Sequence, residues 1–331
     1  MGQDFLYISN SDVRRLLTFA EAIRIAEDTL LAHARGEVIW GVPRQLELRP
    51  EGRGATFKVK ACYLRHLNVV GLRIVGVNRA LMGYETPADY FPTKFIMLSD
   101  ADTGRCLALV DEHWSHAVRT GACVAVAARY LVRPGSVQIG LLGAGYMART
   151  SLLALREVRQ IAAVRVYART PDSRTRFARE MGEQTGLRII AVERPEDAVR
   201  TMDVVVAATT TTQPFVSSEW ITPGCFFYSM GEHQEADDRA YTGVDKFVVD
   251  DWEQVLIKSD MRALTTAGTV TRAHLYAELG EIVSGQKPGR EHAAERIFFR
   301  SQGLVTQDVA IAEWLTRQVR AGQLAGRGAR K

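Results

Sequence analysis

Cysteine is scarce and unpatterned in this chain. Four occur among 331 residues (Cys62, Cys106, Cys123 and Cys225), and no two form a C-x-x-C pair. That spacing writes neither a disulfide framework nor a thiolate metal site, so reduced thiols in a cytoplasmic protein are expected. Long apolar runs are missing too: none could span a bilayer, and the opening residues do not read as a secretory leader. Charge of one sign is nearly balanced away, with 42 Lys and Arg against 38 Asp and Glu, a net +4. The visible basic excess sits in the tail from Arg317 to Lys331. Residues 322–331 read as a flexible end. No basic–aromatic stripe accompanies it, so neither nucleic acid nor membrane is an expected partner. Internal repeats and low-complexity segments are absent. What remains is ordinary globular composition, 47% hydrophobic and 24% charged, in a chain long enough for two domains.

The most informative stretch is Val137-Gln138-Ile139-Gly140-Leu141-Leu142-Gly143-Ala144-Gly145-Tyr146-Met147-Ala148. An apolar run of strand character ends in Gly-x-Gly-x-x-Ala, and a helix-forming segment follows. Gly143 permits the tight strand-to-helix turn, and Gly145 lets backbone approach a pyrophosphate. Ala148 is small enough for the helix to pack on the sheet. The helix N-terminus then offers unpaired N–H groups to phosphate. Gly143, Ala144, Gly145, Tyr146 and Met147 are therefore expected at a dinucleotide.

Cofactor choice is written at the end of the next strand, in Ala168-Arg169-Thr170 with Arg174 beyond. A carboxylate here accepts from the ribose 2′-hydroxyl of NAD. This chain has alanine followed by arginine, and a guanidinium suits a 2′-phosphate. NADP(H) is favoured, with NAD(H) as the alternative. Further strands near 187–192, 204–209, 225–230 and 246–250, with helices between most of them, extend a doubly wound parallel sheet of α/β class. Thr209, Thr210 and Met230 fall at strand ends, where they could face the cofactor.

Upstream the pattern changes. A short strand, Leu6-Tyr7-Ile8, precedes a helix opened by a capping box, Thr18-Phe19-Ala20-Glu21. Extended segments follow near 45–48, 56–63, 71–77, 94–99 and 105–110, making a mixed α+β domain. A helix from about 115 to 131 leads to Arg133-Pro134-Gly135, a natural boundary. The expected division is residues 1–133, residues 134–300 for the dinucleotide, and a helix at 301–321. His113 and His116 stand at a helix start without an evident third ligand, so helix-end packing and capping is expected there and no metal, while His116, one turn before Arg119, could face the active site. Asp250-Asp251-Trp252-Glu253 reads as a helix start.

An ordered set of pieces resembles the ornithine cyclodeaminase/μ-crystallin family. It comprises Asp100-Ala101-Asp102-Thr103-Gly104, Arg119-Thr120-Gly121-Ala122, the Gly143 turn, residues 280–290, and Ser301-Gln302-Gly303 with Asp308. The resemblance implies a Rossmann domain, a substrate-binding and homodimer-building domain in residues 1–133 to which the helix at 301–321 returns, and chemistry at the Cα of a small amino or imino acid. It implies that Arg119 and Arg44 bind the substrate carboxylate and that Thr93 and Thr120 approach the cofactor. Two positions depart from the family. Its lysine for proton transfer or substrate polarisation is replaced by Arg73, with Lys58 and Lys60 upstream as possible substitutes. Its cyclodeaminase aspartate falls where Glu232 and His233 stand. The expectation is an NAD(P)-dependent imine reductase or amino-acid dehydrogenase. The alternatives are an ammonia-releasing cyclodeaminase and a non-catalytic dinucleotide-binding protein.

Overall fold

The computed structural model describes residues 5–78, 81, 91–257 and 259–322. The tail expected to be flexible lies, from 323 on, outside them. In chain order the elements begin with β1 (Leu6–Ile8), α1 (Asn10–Leu16), α2 (Phe19–Ala34), β2 (Val38–Trp40) and β3 (Leu46–Leu48). Next come β4 (Ala55–Leu64), β5 (Val69–Asn78), β6 (Thr93–Asp100), β7 (Cys106–Asp111) and α3 (His113–Leu131). Then follow β8 (Val137–Leu142), α4 (Tyr146–Arg156), β9 (Ile161–Tyr167), α5 (Pro171–Thr185), β10 (Ile189–Ala191), β11 (Val204–Ala207) and β12 (Phe226–Ser229). The chain closes with α6 (Arg239–Thr242), β13 (Lys246–Val249), α7 (Trp252–Val255), α8 (Ser259–Thr266), β14 (Leu275–Glu278), α9 (Leu279–Val283), β15 (Ile297–Arg300) and α10 (Val305–Arg320). No described helix is long and apolar enough to cross a membrane.

Two compact units result: Met1–Arg119 with Val305–Lys331, and Thr120–Leu304. The division falls inside α3 rather than at the Arg133-Pro134-Gly135 turn. Nothing in α3 breaks the helix before Leu131, and its second half packs against α4. A side chain at Gly121 would meet the Thr150 carbonyl at 2.5 Å. The sheet of the first unit has seven strands in the order β1-β7-β6-β5-β4-β2, with β3 on β4. Only the β1–β7 pairing is parallel.

Register decides which residues share a face, because successive side chains point to opposite sides of a sheet. Lys60 pairs with Arg73, Arg73 with Ile96, and Ile96 with Val110; the neighbouring row is Cys62, Gly71, Leu98 and Ala108. This face is buried, and α10 packs on it. Gly71 lets α10 come that close, since a Cβ there would lie 2.2 Å from the Val309 side chain. The opposite face carries Leu72, Ile74, Phe95, Met97 and Leu109, all half-buried.

The second unit is built on an eight-stranded, wholly parallel sheet, order β10-β9-β8-β11-β12-β15-β13-β14. That is the doubly wound order, with its switch point beside β8. Strands β2, β14 and β15 were not anticipated. Each is three or four residues long, too short for periodicity to speak.

Two local expectations are corrected. The capping box at Thr18 is only half formed: Thr18 accepts from the Glu21 N–H, while the Glu21 carboxylate is taken by Arg24. The last helix starts at Val305, not Ser301. Ser301 Oγ and the N–H groups of Gln302 and Gly303 all donate to Asp250 Oδ2, at 3.1, 2.8 and 2.5 Å, and hold that turn out of helical geometry. Asp251 caps α7 by accepting from the Gln254 N–H, so the acidic run does open a helix.

Candidate functional site: a phosphate turn and a buried guanidinium pair

The first component lies at the C-terminal end of β8. Gly143 has φ +104°, a conformation that side chains disfavour, and a Cβ there would meet the Ala208 carbonyl at 2.5 Å. Gly145 is the N-cap of α4 and leaves the first N–H groups without a side-chain cap. A Cβ added to Gly145 would find no atom within 4 Å. Open space in front of uncapped helix N–H groups is a cradle for a diphosphate, so these residues fit a dinucleotide. Ala144 and Met147 are half-buried, whereas Tyr146 is exposed.

At the end of β9, Ala168 is buried. Arg169 and Thr170 are exposed, and Arg169 makes no hydrogen bond or ion pair with described residues. Arg174 donates from Nη1 to the Ala168 carbonyl at 3.2 Å, and the Thr170 hydroxyl bonds Ser173.

The neighbouring loops are tied by a residue that sequence reasoning missed. Glu235, fully buried, accepts from Thr209 N–H (2.9 Å), Thr209 Oγ1 (2.6 Å), Ser229 Oγ (2.8 Å) and Gly231 N–H (3.0 Å). Thr209 thus spends its hydroxyl on Glu235, while Thr210 is exposed. The Met230 N–H continues the sheet by donating to the Ala207 carbonyl. Arg300, also fully buried, pairs with Asp260 at 2.5 Å and donates to the carbonyls of Gly231 and His233. Glu232 and His233 are half-buried in the turn that Arg300 holds.

The second component lies on the buried face of the first unit's sheet. Arg73 is inside, its side chain 11% exposed, and not at the surface. It donates from Nε and Nη2 to the two oxygens of fully buried Glu112, at 2.5 and 2.7 Å. Arg119 donates from Nε to Asp308 Oδ1 at 2.8 Å. Both guanidiniums approach His116 Nδ1, Arg73 Nη2 at 3.1 Å and Arg119 Nη2 at 3.0 Å. A guanidinium can only donate, so Nδ1 is the acceptor and the neutral ring carries its proton on Nε2. His116 is therefore a member of this cluster and more than helix-end packing. His113, by contrast, bonds Asp111 and stacks on Phe91.

Electrostatics follow from the packing. Burial and the cations of Arg119, Arg73, Lys94 and Lys60 hold the His116 pKa well below its usual range, so the ring is neutral. Burial alone would lower the Arg73 pKa; the Glu112 and Asp308 carboxylates outweigh it and keep the guanidinium charged. Burial pushes the Glu112 carboxyl up, with Arg73 opposing. Lys60 is buried on this face. Neither Arg73 Nη1 nor Arg119 Nη1 has a hydrogen-bond partner among the described residues. An uncommitted edge on each of two guanidiniums is what an incoming carboxylate requires.

The Arg44 guanidinium stacks on Trp40, 4.5 Å from the ring centroid. Thr93, the first residue of β6, and Thr120 are half-buried. Glu112 and Asp308 escaped as site residues because Glu112 is 39 residues from Arg73 and Asp308 is 189 from Arg119. The available signal was strand alternation, which puts Glu112 on the same side as Val110 and Arg73.

A doubly wound unit with a phosphate cradle, in one chain with a buried guanidinium pair, defines a dinucleotide-linked enzyme of the oxidoreductase or cyclodeaminase kind. The chain belongs to the ornithine cyclodeaminase/mu-crystallin family, whose profile matches residues 5–323. It is 30% identical over 317 residues to a Delta(1)-pyrroline-2-carboxylate reductase of Bacillus cereus, covering 94% of this chain and 95% of that protein. An alanine dehydrogenase of Archaeoglobus fulgidus is also 30% identical, over 93% of each chain. The solved structure of the Thermococcus litoralis Delta(1)-pyrroline-2-carboxylate reductase, in complex with NADH and L-proline, matches with a TM-score of 0.87 at 31% identity. That match covers 99% of this chain and 100% of the other.

Proposed function

We propose that the protein is an NADP(H)-linked reductase of small imino acids, run in reverse as an amino-acid dehydrogenase. The observation that carries this reading is the guanidinium pair: Arg73 and Arg119 converge on neutral His116, and each keeps an Nη1 edge for a substrate carboxylate. Arg44 serves as a further carboxylate ligand from the loop between β2 and β3. When bound, the dinucleotide supplies or accepts a hydride at the substrate Cα. Gly143, Ala144, Gly145, Tyr146 and Met147 hold its diphosphate, Thr209, Thr210 and Met230 border it, and Thr93 and Thr120 approach the nicotinamide end. Arg73 polarises the substrate but stays protonated, so it does not move a proton. Glu232 and His233 stand as acid–base candidates in the turn held by Arg300. Positioning and fixed charge supply most of the rate.

Preference for the phosphorylated cofactor rests on Ala168, Arg169, Thr170 and Arg174. No carboxylate stands at the end of β9 to repel a 2′-phosphate, and Arg169 is exposed and uncommitted. The apolar outer face around Leu72, Phe95 and Met97 supports a homodimer, since a second copy would cover it.

Fluorescence titration tests the cofactor reading. NADPH should bind more tightly than NADH, and Ala168→Asp should reverse the order; tighter NADH binding to the unmodified protein overturns it. A panel of cyclic and acyclic imino acids tests the reaction. Loss of the reduced-nicotinamide absorbance in step with amine formation is expected. Ammonia release from a diamino acid without net absorbance change would assign a cyclodeaminase instead.

A further inference from the structure

Among the charged groups on the buried face of the first unit's sheet, Arg73 cannot be the acid, and a donor on this face would act in place of the Glu232 and His233 candidates. Reducing a C=N bond needs a hydride at carbon and a proton at nitrogen, and a guanidinium does not give up its proton near neutrality. His116 does not supply the proton, because it is neutral and its Nδ1 accepts from two guanidiniums. Lys60 lies directly opposite Arg73 on β4, but it is already engaged by a neighbouring group.

Lys94 offers a further ammonium on this face. Lys94 pairs in register with Val75, two residues along β5 from Arg73, so both side chains lie on the same buried face. Its carbonyl accepts from the Glu112 N–H at 3.0 Å, which fixes the strand next to the Arg73–Glu112 pair. The Lys94 side chain is half-buried and makes no hydrogen bond or ion pair with any described residue. A half-buried ammonium that no hydrogen bond or close ion pair satisfies costs stability, and it is retained where a ligand or a reaction uses it.

We propose that Lys94 is the proton donor of this enzyme, having taken over from β6 the role that a lysine at the Arg73 position would play from β5. The proposal rests on the imine-reductase reading above. As hydride reaches Cα, the C=N π pair moves to nitrogen, and nitrogen takes a proton from Lys94 Nζ. The neutral Lys94 amine then regains a proton from solvent, so one hydride and one proton are consumed per amine formed. Arg73 and Arg119 keep the carboxylate, and Lys94 faces the nitrogen end.

The surroundings of Lys94 suit the task. Burial lowers its pKa; Glu112 and Asp111 oppose that and Arg73 reinforces it. His116 on α3 also faces it, as a neutral ring. Brønsted behaviour rewards an acid brought closer to working pH.

The test compares wild type, Lys94→Met and Lys94→Arg in the full chain. Imine reduction by wild type should fall at alkaline pH as Lys94 loses its proton. Both variants should lose about 100-fold or more in kcat and lack that alkaline limb. Melting temperature and NADPH affinity should hold. Lys94→Arg matters most, because it keeps the charge and removes only the mobile proton. Competitive acetylation with acetic anhydride, read by peptide mass spectrometry, gives a second readout without turnover: Lys94 should become reactive at lower pH than exposed lysines. Lys94→Arg active within threefold of wild type with an unchanged limb, or Lys94 labelling like an exposed lysine, overturns the proposal alone. A wild type inert on every imino acid overturns the functional reading and the proposal together.

Discussion

The phosphate turn and the guanidinium cluster are built in opposite ways. The turn is one contiguous stretch, Gly143–Met147, and what it offers a ligand is backbone: helix N–H groups and the space beside Gly145. The cluster is assembled from side chains on β5, α3 and α10, with Glu112 between β7 and α3. A backbone site needs only a local conformation, so it can be built from a short motif. A side-chain site needs register, helix approach and charge balance to agree across more than two hundred residues. The two should therefore fail differently when broken.

The largest effect is expected from the cluster. If Arg119 binds the substrate carboxylate as proposed, Arg119→Ala should cost about 1.5–3 kcal/mol, tenfold to a hundredfold in kcat/KM. Dinucleotide affinity should be unchanged. The variant should also be less stable, because Asp308 Oδ1 is left buried without its guanidinium. Arg119→Met combined with Asp308→Leu, read against Asp308→Leu alone because Asp308 Oδ2 also lies 3.5 Å from Arg73 Nε, separates the two effects: melting temperature should recover while catalysis stays low. Recovered catalysis in the double variant would show that the pair only holds the fold.

Gly143→Ala probes the turn. It places a Cβ 2.5 Å from the Ala208 carbonyl at a φ of +104°. Strain of this kind costs about 1–3 kcal/mol. NADPH affinity should fall by at least tenfold, measured by titration. Binding of a small carboxylate to the guanidinium pair should survive, since none of its groups is touched. Loss of both would mean that the two components are not independent.

Gly71→Ala should cost less in function and more in melting temperature than its size suggests. Its Cβ would fall 2.2 Å from Val309, so α10 must move, and Asp308 is carried on α10 one residue earlier. Differential scanning calorimetry and kcat/KM should drop together. A fall in melting temperature with full activity would show that Asp308 need not be held closely.

How much of this was legible in advance follows from the same contrast. The turn, Ala168-Arg169 and the parallel sheet could be read because apolar strands, glycines and helix starts are local signals. Arg73 and Arg119 were found through resemblance to a family, and the partners that give them meaning were not. Glu112 stands 39 residues from Arg73, and Asp308 stands 189 from Arg119. Their pairing depends on sheet register and on Gly71 admitting α10. Glu235 and Arg300 were hidden likewise: each binds loops that only the parallel sheet brings side by side. Lys94 was legible in principle, since alternation along β6 puts it with Ile96 and Leu98, but only the β5–β6 register sets it beside Arg73.

The smallest expected effect concerns protons held by the cluster at rest. The His116 pKa lies well below its ordinary value near 6.5, with burial the main cause and four cations reinforcing it. As pH falls below about 6.5, the unfolded chain binds a proton there that the folded chain refuses. Stability from this group is thus complete above that value and declines as pH drops toward the lower folded value. The slope is at most about 1.4 kcal/mol per pH unit. Glu112 acts with the opposite sign, because its carboxyl is pushed up by burial: it stabilises at low pH and loses that as pH rises through its folded value. The wild-type curve between pH 5 and 7 is therefore a near-cancellation, and only differences between variants are informative. His116→Gln keeps an acceptor for both guanidiniums and cannot titrate. Its melting temperature relative to wild type should rise by a few degrees on going from pH 7 to pH 5, while Glu112→Gln should move the other way. Parallel curves for wild type and His116→Gln would mean that the imidazole is not held neutral between Arg73 and Arg119.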